Sequence, residues 1–553
     1  MFVLSVARRS TTIMTSKMIP ATLKRTCHAR LSEAPFLTIR SVLHAPRQNE
    51  GVMLSPLVRQ ASSWKWLPAH IPVTPATTIR GYSSTAKNLN FFDTKEDLDR
   101  REAVKAKGKG SEKASNRSQR NVGGGNRKAS IEINSELIQL GRNQQWKEIL
   151  STYEQRKEDF DHINYSTTMS QLGRIRFTRT DDPILLEFLR DLHRQLVQQQ
   201  DGFQIMGPQA IGNIVHCIAK MRLDQNDHAM NILGALDGNA KWLVEVGDPQ
   251  EVANVAWACA TLGVKAPNLF AELDKNATWL VEKGNPQDVA NSVWACATLG
   301  VNTPTLFAEL DKNATWLVEE GTPQAVASVV WACATMSVKA PALFVELDKN
   351  AAWLVEEGTA QSVTTVVWAL VVLGIDSKEE KELIAHFWDC LMGMQIKLSL
   401  DDLRQISYIE AVARAEGMEL SQPSSKLRSM LDNIEYESTD SKNQTRVSNQ
   451  LHELGFDHEC EVSPFKGAPG LLAIDMACKE RSVGIEYDGP SHFLKGADFV
   501  ELAVENGPTK GKRRMLQKLG WTVINLDWKE EMKYQPSTKW LKRKLSEAGV
   551  DVV

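Results

Sequence analysis

Paired cysteines are missing from this sequence. None of its eight cysteines (Cys27, Cys217, Cys259, Cys296, Cys333, Cys390, Cys460 and Cys478) forms a CxxC pair or joins a Cys/His cluster of zinc-binding spacing. That argues against a disulfide framework or a structural metal as the basis of the fold. Cys259, Cys296 and Cys333 recur at one place in successive repeats, as small buried apolar residues of a reducing compartment do. Apolar runs of about 18 residues are also missing, so no membrane span is expected. The chain as a whole lacks an excess of either charge: 65 Lys and Arg face 68 Asp and Glu. That balance excludes little, because it hides regional asymmetry.

The 553 residues allow roughly two to four domains. Residues 1–90 hold twelve Lys and Arg but only two acids, Glu33 and Glu50, with abundant Ser, Thr and Ala. This is the composition of an organellar transit peptide. Arg80-Gly81-Tyr82-Ser83-Ser84 resembles a mitochondrial processing site, which places cleavage after Tyr82 and the transit peptide at 1–82. The mitochondrial matrix is favoured over a plastid; an untargeted basic tail is the alternative. Residues 83–130, with Lys105-Ala106-Lys107-Gly108-Lys109-Gly110 and Gly123-Gly124-Gly125, cannot bury a core and read as a disordered basic linker.

A 37-residue period dominates the middle. Trp-Leu-Val-Glu recurs at Trp242, Trp279, Trp316 and Trp353, and Trp-Ala at Trp257, Trp294, Trp331 and Trp368. A fixed period in this range marks a solenoid of stacked units. Each unit predicts two helices. In one of them, helix A starts at Pro267, runs through Leu269, Phe270, Leu273, Ala277 and Leu280, and ends at Gly284. Asn285 then caps helix B, with Pro286 at its first position. Asp248 with Glu251 has capping-box form. Helix B ends near Gly263, Gly300 and Gly374. Weaker copies surround His216, Tyr165 to Gly173 and Leu400 to Gly417. Six or seven units over 131–435 follow, with clear copies over 240–376.

On a helical wheel, Val252, Val255, Ala256, Cys259 and Leu262 form an apolar face of helix B. Gln250, Asn254, Trp257 and Thr261 form the opposite one. Across the units Gln250, Gln287, Gln324 and Gln361 stay constant, while Asn254, Asn291, Ser328 and Thr365 vary among small polar residues. A modular base reader takes this form, with polar side chains on base edges and flat ones on base faces. The competing reading is that the Trp packs between units and the small polar residue bonds a neighbouring helix. Residues 240–376 hold seven Lys, no Arg and sixteen acids, among them Glu272, Asp274, Glu309 and Asp311. Such a surface repels phosphate, so RNA would use the helix B side, or the repeats would bind protein. Pro-Gln-x-Val-Ala-Asn-x-x-Trp-Ala-x-Ala-x-Leu-Gly, as at Pro249 to Gly263, resembles the octotricopeptide-type repeats and those of FAST-kinase-like organelle proteins. That resemblance implies sequence-dependent binding of organellar RNA.

Residues 445–550 change character. A helix over 445–454, strands near 471–476 and 483–487, a turn at Gly489-Pro490, a basic helix over 509–519 and a strand over 521–526 predict a small α/β domain. Ile474-Asp475, Ile485 to Phe493, Lys512-Arg513-Arg514 and Leu519-Gly520-Trp521-Thr522-Val523 closely resemble the RAP domain, an RNA-associated module. The carboxylates Asp475, Glu486 and Asp488, with His492 beyond them, are similar to the restriction-endonuclease-like fold. Its Glu-x-Lys signature has Asp488 in the Lys place here, which puts that mechanism in doubt. They are the catalytic candidates, and Asp475 and Glu486 the only metal candidates. No cofactor is expected, and Mg²⁺ only if the domain cleaves RNA. Lys510, Lys512, Arg513, Arg514 and Lys518 are the phosphate-contact candidates, with Lys539, Lys542, Arg543 and Lys544 nearby.

The expected protein is therefore mainly α: a solenoid of helical hairpins followed by a small C-terminal α/β domain. Its expected partner is RNA, a single-stranded organellar transcript or ribosomal RNA, bound in RNA processing, stability or translation. An RNA endonuclease and a protein-binding scaffold are the alternatives.

Overall fold

The computed structural model describes residues 124–374, 377–394, 398–434, 441–465, 470–534 and 537–552. The transit peptide expected at 1–82 and most of the expected linker lie outside the described residues. The linker's end does not: a helix spans Gly124–Arg142. Ser130 is buried where the Asn164 amide donates to its carbonyl at 2.9 Å, so the helical pattern of Ile133 and Leu137 extends back across the boundary set at 131.

Seven inner helices, among the described residues, stack side by side: α1 His162–Ile175, α2 Pro208–Lys220, α3 Pro249–Leu262, α4 Pro286–Leu299, α5 Pro323–Thr335, α6 Ala360–Leu373 and α7 Leu400–Ala415. Pro opens α2 to α5, where its missing N–H costs nothing. Capping boxes close over the starts of α3 and α4. Gly263 and Gly300 end α3 and α4 at φ +68° and +69°. The N–H of Val264 and of Val301 then reaches back to the Cys259 and Cys296 carbonyls at 2.8 Å, the left-handed stop glycine permits.

The outer layer departs from a simple hairpin. Helix A is two short helices, Pro267–Lys275 and Ala277–Lys283 in one unit, and Pro304–Lys312 and Ala314–Glu320 in the next. The break falls on Asn276, Asn313 and Asn350. Each turns its amide back onto the carbonyl four residues earlier, at 2.8 to 2.9 Å. Asparagine competes with helix continuation in this way, a signal that apolar spacing alone does not carry.

Two repeating contacts fix the stacking. The first is the glycine before each inner helix. Gly321 has ordinary extended backbone (φ −82°), so its need is for space. A Cβ there would lie 2.2 Å from the Leu317 carbonyl and 3.4 Å from Pro286 of the preceding unit, and Gly247, Gly284 and Gly358 repeat the arrangement. The second is an acid. Asp237, Asp274 and Asp311 each accept the backbone N–H of Leu269, Leu306 and Leu343, in the first turn of the next unit's outer helix, at 3.0 Å. Such caps contribute about 1 kcal/mol apiece. Glu272, Glu309 and Glu346 pair with Lys275, Lys312 and Lys349 on their own helices. Much of the acidity of the repeats therefore serves the construction of the outer layer, and Asp248, Glu251 and Asp288 close the starts of the inner helices.

After α7 come α8 Lys442–Glu453 and a four-stranded sheet of order β1-β2-β3-β6 (Glu459–Val462, Ile474–Cys478, Val483–Asp488, Thr522–Asp527). The first pairs are antiparallel and β3–β6 is parallel. Between β3 and β6 lie a hairpin, β4 Phe493–Lys495 and β5 Glu501–Glu505, and the basic helix α9, Gly507–Lys518. Helix α10, Ser537–Glu547, closes the chain. Met476, Ile485, Ile524 and Leu526 pack against Val447, Leu451, Trp540, Leu541 and Leu545 as this domain's core.

The hairpin and α9 dock on the C-terminal ends of the inner helices. Lys495 exchanges backbone hydrogen bonds at 2.8 Å with Gly300 and Asn302, and its ammonium donates to the Leu299 carbonyl. Phe499 meets Phe270 edge-on at 6.0 Å. Helix α9 is buried on two sides: Leu516 joins the sheet, and Met515 joins the core of the repeats. A Cβ on Gly507 would sit 1.7 Å from the Ala334 carbonyl, and one on Gly511 3.2 Å from Val372 O and Tyr408 OH.

Candidate nucleic-acid interface

The inner helices are buried almost all round, because each is flanked by two neighbours and backed by the outer layer. The open strip is narrow. Gln250 is exposed, and Asn254 and Trp257 are half-buried. Gln287 donates to Asn291 at 2.9 Å, and both are half-buried. The next units differ. Gln324 is exposed and Gln361 half-buried, but Ser328 and Thr365 are buried, and Ser328 Oγ donates to the Gln324 carbonyl at 2.8 Å. The polar column expected as a four-unit base reader is thus accessible at its varying place only at Asn254 and Asn291. Larger neighbours close it further on: Val329, Val330, Val366 and Val367 pack beside a fully buried Trp368.

The tryptophans form a ladder between units. His216 lies 4.8 Å from Trp257, Trp257 lies 6.4 Å from Trp294, and Trp294 lies 6.5 Å from Trp331, all tilted by about a third of a right angle. The packing reading of these rings is the one the geometry displays. Trp257, the most exposed rung of the three tryptophans, also keeps a face toward solvent. Burial lowers the His216 imidazole to about 4, so this rung is neutral. Cys217, Cys259, Cys296 and Cys333 are buried behind the ladder, and burial pushes each thiol up to about 12.

In the C-terminal domain, the five cations of α9 all have protein partners. Lys510 reaches Ser337 Oγ at 3.1 Å. Lys512 meets Glu486 at 2.5 Å and the Ala473 carbonyl at 2.8 Å. Arg513 pairs with Glu505 and, at 3.5 Å, Asp488. Arg514 donates to the Val371 and Val372 carbonyls at 2.8 and 3.2 Å, and Lys518 pairs with Glu416. Cations on the last carbonyls of α6 also suit that helix's dipole. The helix expected as a free phosphate surface is a brace between the two domains. Its sequence carried a signal for this: Gly507 and Gly511 stand four apart, a small-residue face made for close approach, with apolar Met515 a further four on.

The carboxylates of the sheet are also engaged. Asp475 accepts the Tyr487 N–H at 2.9 Å. Asp488 contacts His492 at 3.2 Å and accepts from Asn525 at 2.7 Å. Desolvation pushes Glu486 up to about 8 against the pull of the Lys512 ammonium. Desolvation opposes charge on Lys512, but Glu486 and Asp475 outweigh it and raise its pKa. A lysine therefore does stand beside the strand acids, brought by α9 rather than from the motif's lysine place, which Asp488 holds here, and its close contact with Glu486 fills the space. Among the described residues no group of three or more His, Cys, Asp or Glu is placed to hold a metal ion, and no helix is long and apolar enough to cross a membrane.

These features define a class: an inner-helix solenoid braced by a small α/β domain. Residues 485–545 match the RAP domain, and the chain is a RAP-domain protein with helical repeats. Its repeat region, residues 171–414, matches the family of the RNA-editing substrate-binding complex 6 protein. No curated protein matches the chain.

Proposed function

We propose that this is an organellar RNA-binding protein acting in post-transcriptional RNA metabolism: processing, stability or translation of a mitochondrial transcript or ribosomal RNA. The observation that carries this reading is the joining of a RAP domain to a repeat region similar to that of an RNA-editing complex. Several of the outer layer's acids, which argued against phosphate, are caps and ion pairs within that layer. The RNA lies against the inner helices of the first units, where Gln250, Asn254, Gln287, Asn291 and Trp257 remain accessible. The repeats are of octotricopeptide-like type over 131–435, the C-terminal domain spans 445–550, and residues 1–82 direct the chain to the matrix before cleavage after Tyr82. The domain acts as a binder and brace, with Asp475, Glu486 and Asp488 structural. Ultraviolet crosslinking in purified mitochondria, with sequencing of the bound RNA, tests this. One or a few discrete sites are expected; recovery of protein partners with no RNA supports the scaffold reading instead.

A further inference from the structure

The C-terminal edge of the inner layer is occupied unevenly. Every docking contact of the RAP domain described above falls between Phe270 and Glu416. The edges of α1 and α2 carry none of them, and their residues differ in kind. Past the end of each inner helix one residue takes a positive φ. It is Gly263, Gly300, Gly374 and Gly417 after α3, α4, α6 and α7, and Ser337 after α5. After α1 and α2 it is Arg176 and Arg222, both at φ +55°. A bulky side chain is strained there, and such strain concentrates where it serves a function.

Both arginines are exposed, as are Arg174 in the last turn of α1 and Lys265 past α3. Among the described residues none of these four forms an ion pair, unlike Lys275, Lys312 and Lys349 on the outer layer. Arg222 also reaches the next unit, donating to the Thr261 carbonyl at 3.1 Å. The cations fall in two groups bridged by Arg222: Lys220 is held below its ordinary pKa by desolvation, with Arg176 and Arg174 adding to it, and Lys495 of the RAP hairpin by desolvation, with Lys265 adding to it and Glu501 opposing. Exposed cations set side by side, with no ion pair of their own, make a field for an external polyanion.

We infer that Arg174, Arg176, Lys220, Arg222, Lys265 and Lys495 form a track for the sugar–phosphate backbone of single-stranded RNA, running along the open edge of the repeats and ending at the RAP hairpin. This rests on the RNA-binding reading and gives it a location. The backbone lies on the edge, bases turn inward over Trp257 and the polar column, and the docked domain stops the strand.

The test uses the full chain and a random-sequence 20-nucleotide single-stranded RNA, with affinity measured across a salt series. The variant R176G/R222G places glycine where the backbone favours it, so its thermal stability should not fall. Its affinity should drop about tenfold at low salt, and its log Kd against log salt slope should fall by roughly 1.4, at about 0.7 per lost phosphate contact. Native affinity and slope in that variant would overturn the track while leaving RNA binding intact. If R176G/R222G unfolds, R174Q/K265Q, which changes only exposed side chains, replaces it with the same expectations. A K275Q/K312Q/K349Q variant should bind as the native chain does; an equal loss there would place RNA on the outer layer and overturn the proposal. Absence of binding by the native chain would overturn both readings.

Discussion

Gly507→Ala isolates the brace between repeats and RAP domain. Position 507 is the first residue of α9, where alanine is a better helix former than glycine, so the helix itself should not suffer. The added Cβ would stand 1.7 Å from the Ala334 carbonyl, whereas carbon contacts settle at about 3.5 Å or more. Backbone lies on both sides, so α9 must retreat by nearly 2 Å. That retreat reaches Arg514, whose two hydrogen bonds to the Val371 and Val372 carbonyls are charge-assisted, and the close contact at Gly511. A charge-assisted hydrogen bond contributes about 1.5–3 kcal/mol, so docking should weaken by roughly 3 kcal/mol. The exposed contact of Lys510 with the Ser337 hydroxyl adds little, while the pair of Lys518 with the buried Glu416 carboxylate adds to that figure. Hydrogen exchange is the assay: protection should fall at residues 300–302, where the hairpin bonds the repeats, and within α9, with the β2–β3 ladder unchanged. Gly489→Ala, which adds a Cβ with no neighbour within 4 Å, is the control and should be silent. Native protection in Gly507→Ala would refute the brace.

Gly321→Ala should destabilise the repeats by about 1–3 kcal/mol through the Leu317 carbonyl, whereas Gly234→Ala, exposed inside a helix with nothing within 4 Å, should stabilise by about 0.5–1 kcal/mol; denaturant unfolding compares them. Burial pushes Asp288 from 3.8 up to about 6. The native state then binds this proton more tightly than the unfolded chain, so the penalty grows as pH rises through that window and is complete above it. Asp288→Asn keeps an acceptor for Asn285 N–H and should be more stable at pH 7 to 8, by up to roughly 3 kcal/mol, with a flatter stability profile between pH 4 and 6; an unchanged profile refutes this. Lys512→Met should cost up to about 3 kcal/mol by leaving Glu486 alone in the interior, and the Glu486→Leu/Lys512→Met pair should recover most of it; equal losses in single and double variants would contradict the pairing. With Mg²⁺ and bound RNA, the native protein and Asp475→Ala should both leave the RNA intact, and cleavage that Asp475→Ala abolishes would sink the structural reading of the acids.

The repeats were legible because their signals are local and recur: Pro at the first helical position, Gly between helices, Trp every 37 residues. The break at Asn276 was less so, since apolar spacing runs straight through it. The α/β domain was readable in its long strands β2, β3 and β6, but β1 and the β4–β5 hairpin are short or exposed and lack alternation. The site was readable only in part. Whether a cation faces solvent or a carbonyl over 140 residues away, as Arg514 faces that of Val371, depends on docking, which composition does not encode. Likewise Asn254 and Ser328 share a register place, but their different burial comes from the neighbours that pack over them. Arg176 and Arg222 stand 46 residues apart in the chain, with nothing local to join them; the stacking of α1 and α2 sets both at one edge.

Mass spectrometry of peptides photo-crosslinked to single-stranded RNA on the full-length protein addresses the location of RNA most directly. Crosslinks should cluster at residues 174–222 and 250–265 and at the hairpin near Lys495, and be absent from the outer helices at 267–283 and 304–320. Crosslinks confined to those outer helices, or found on the RAP domain alone, would contradict it.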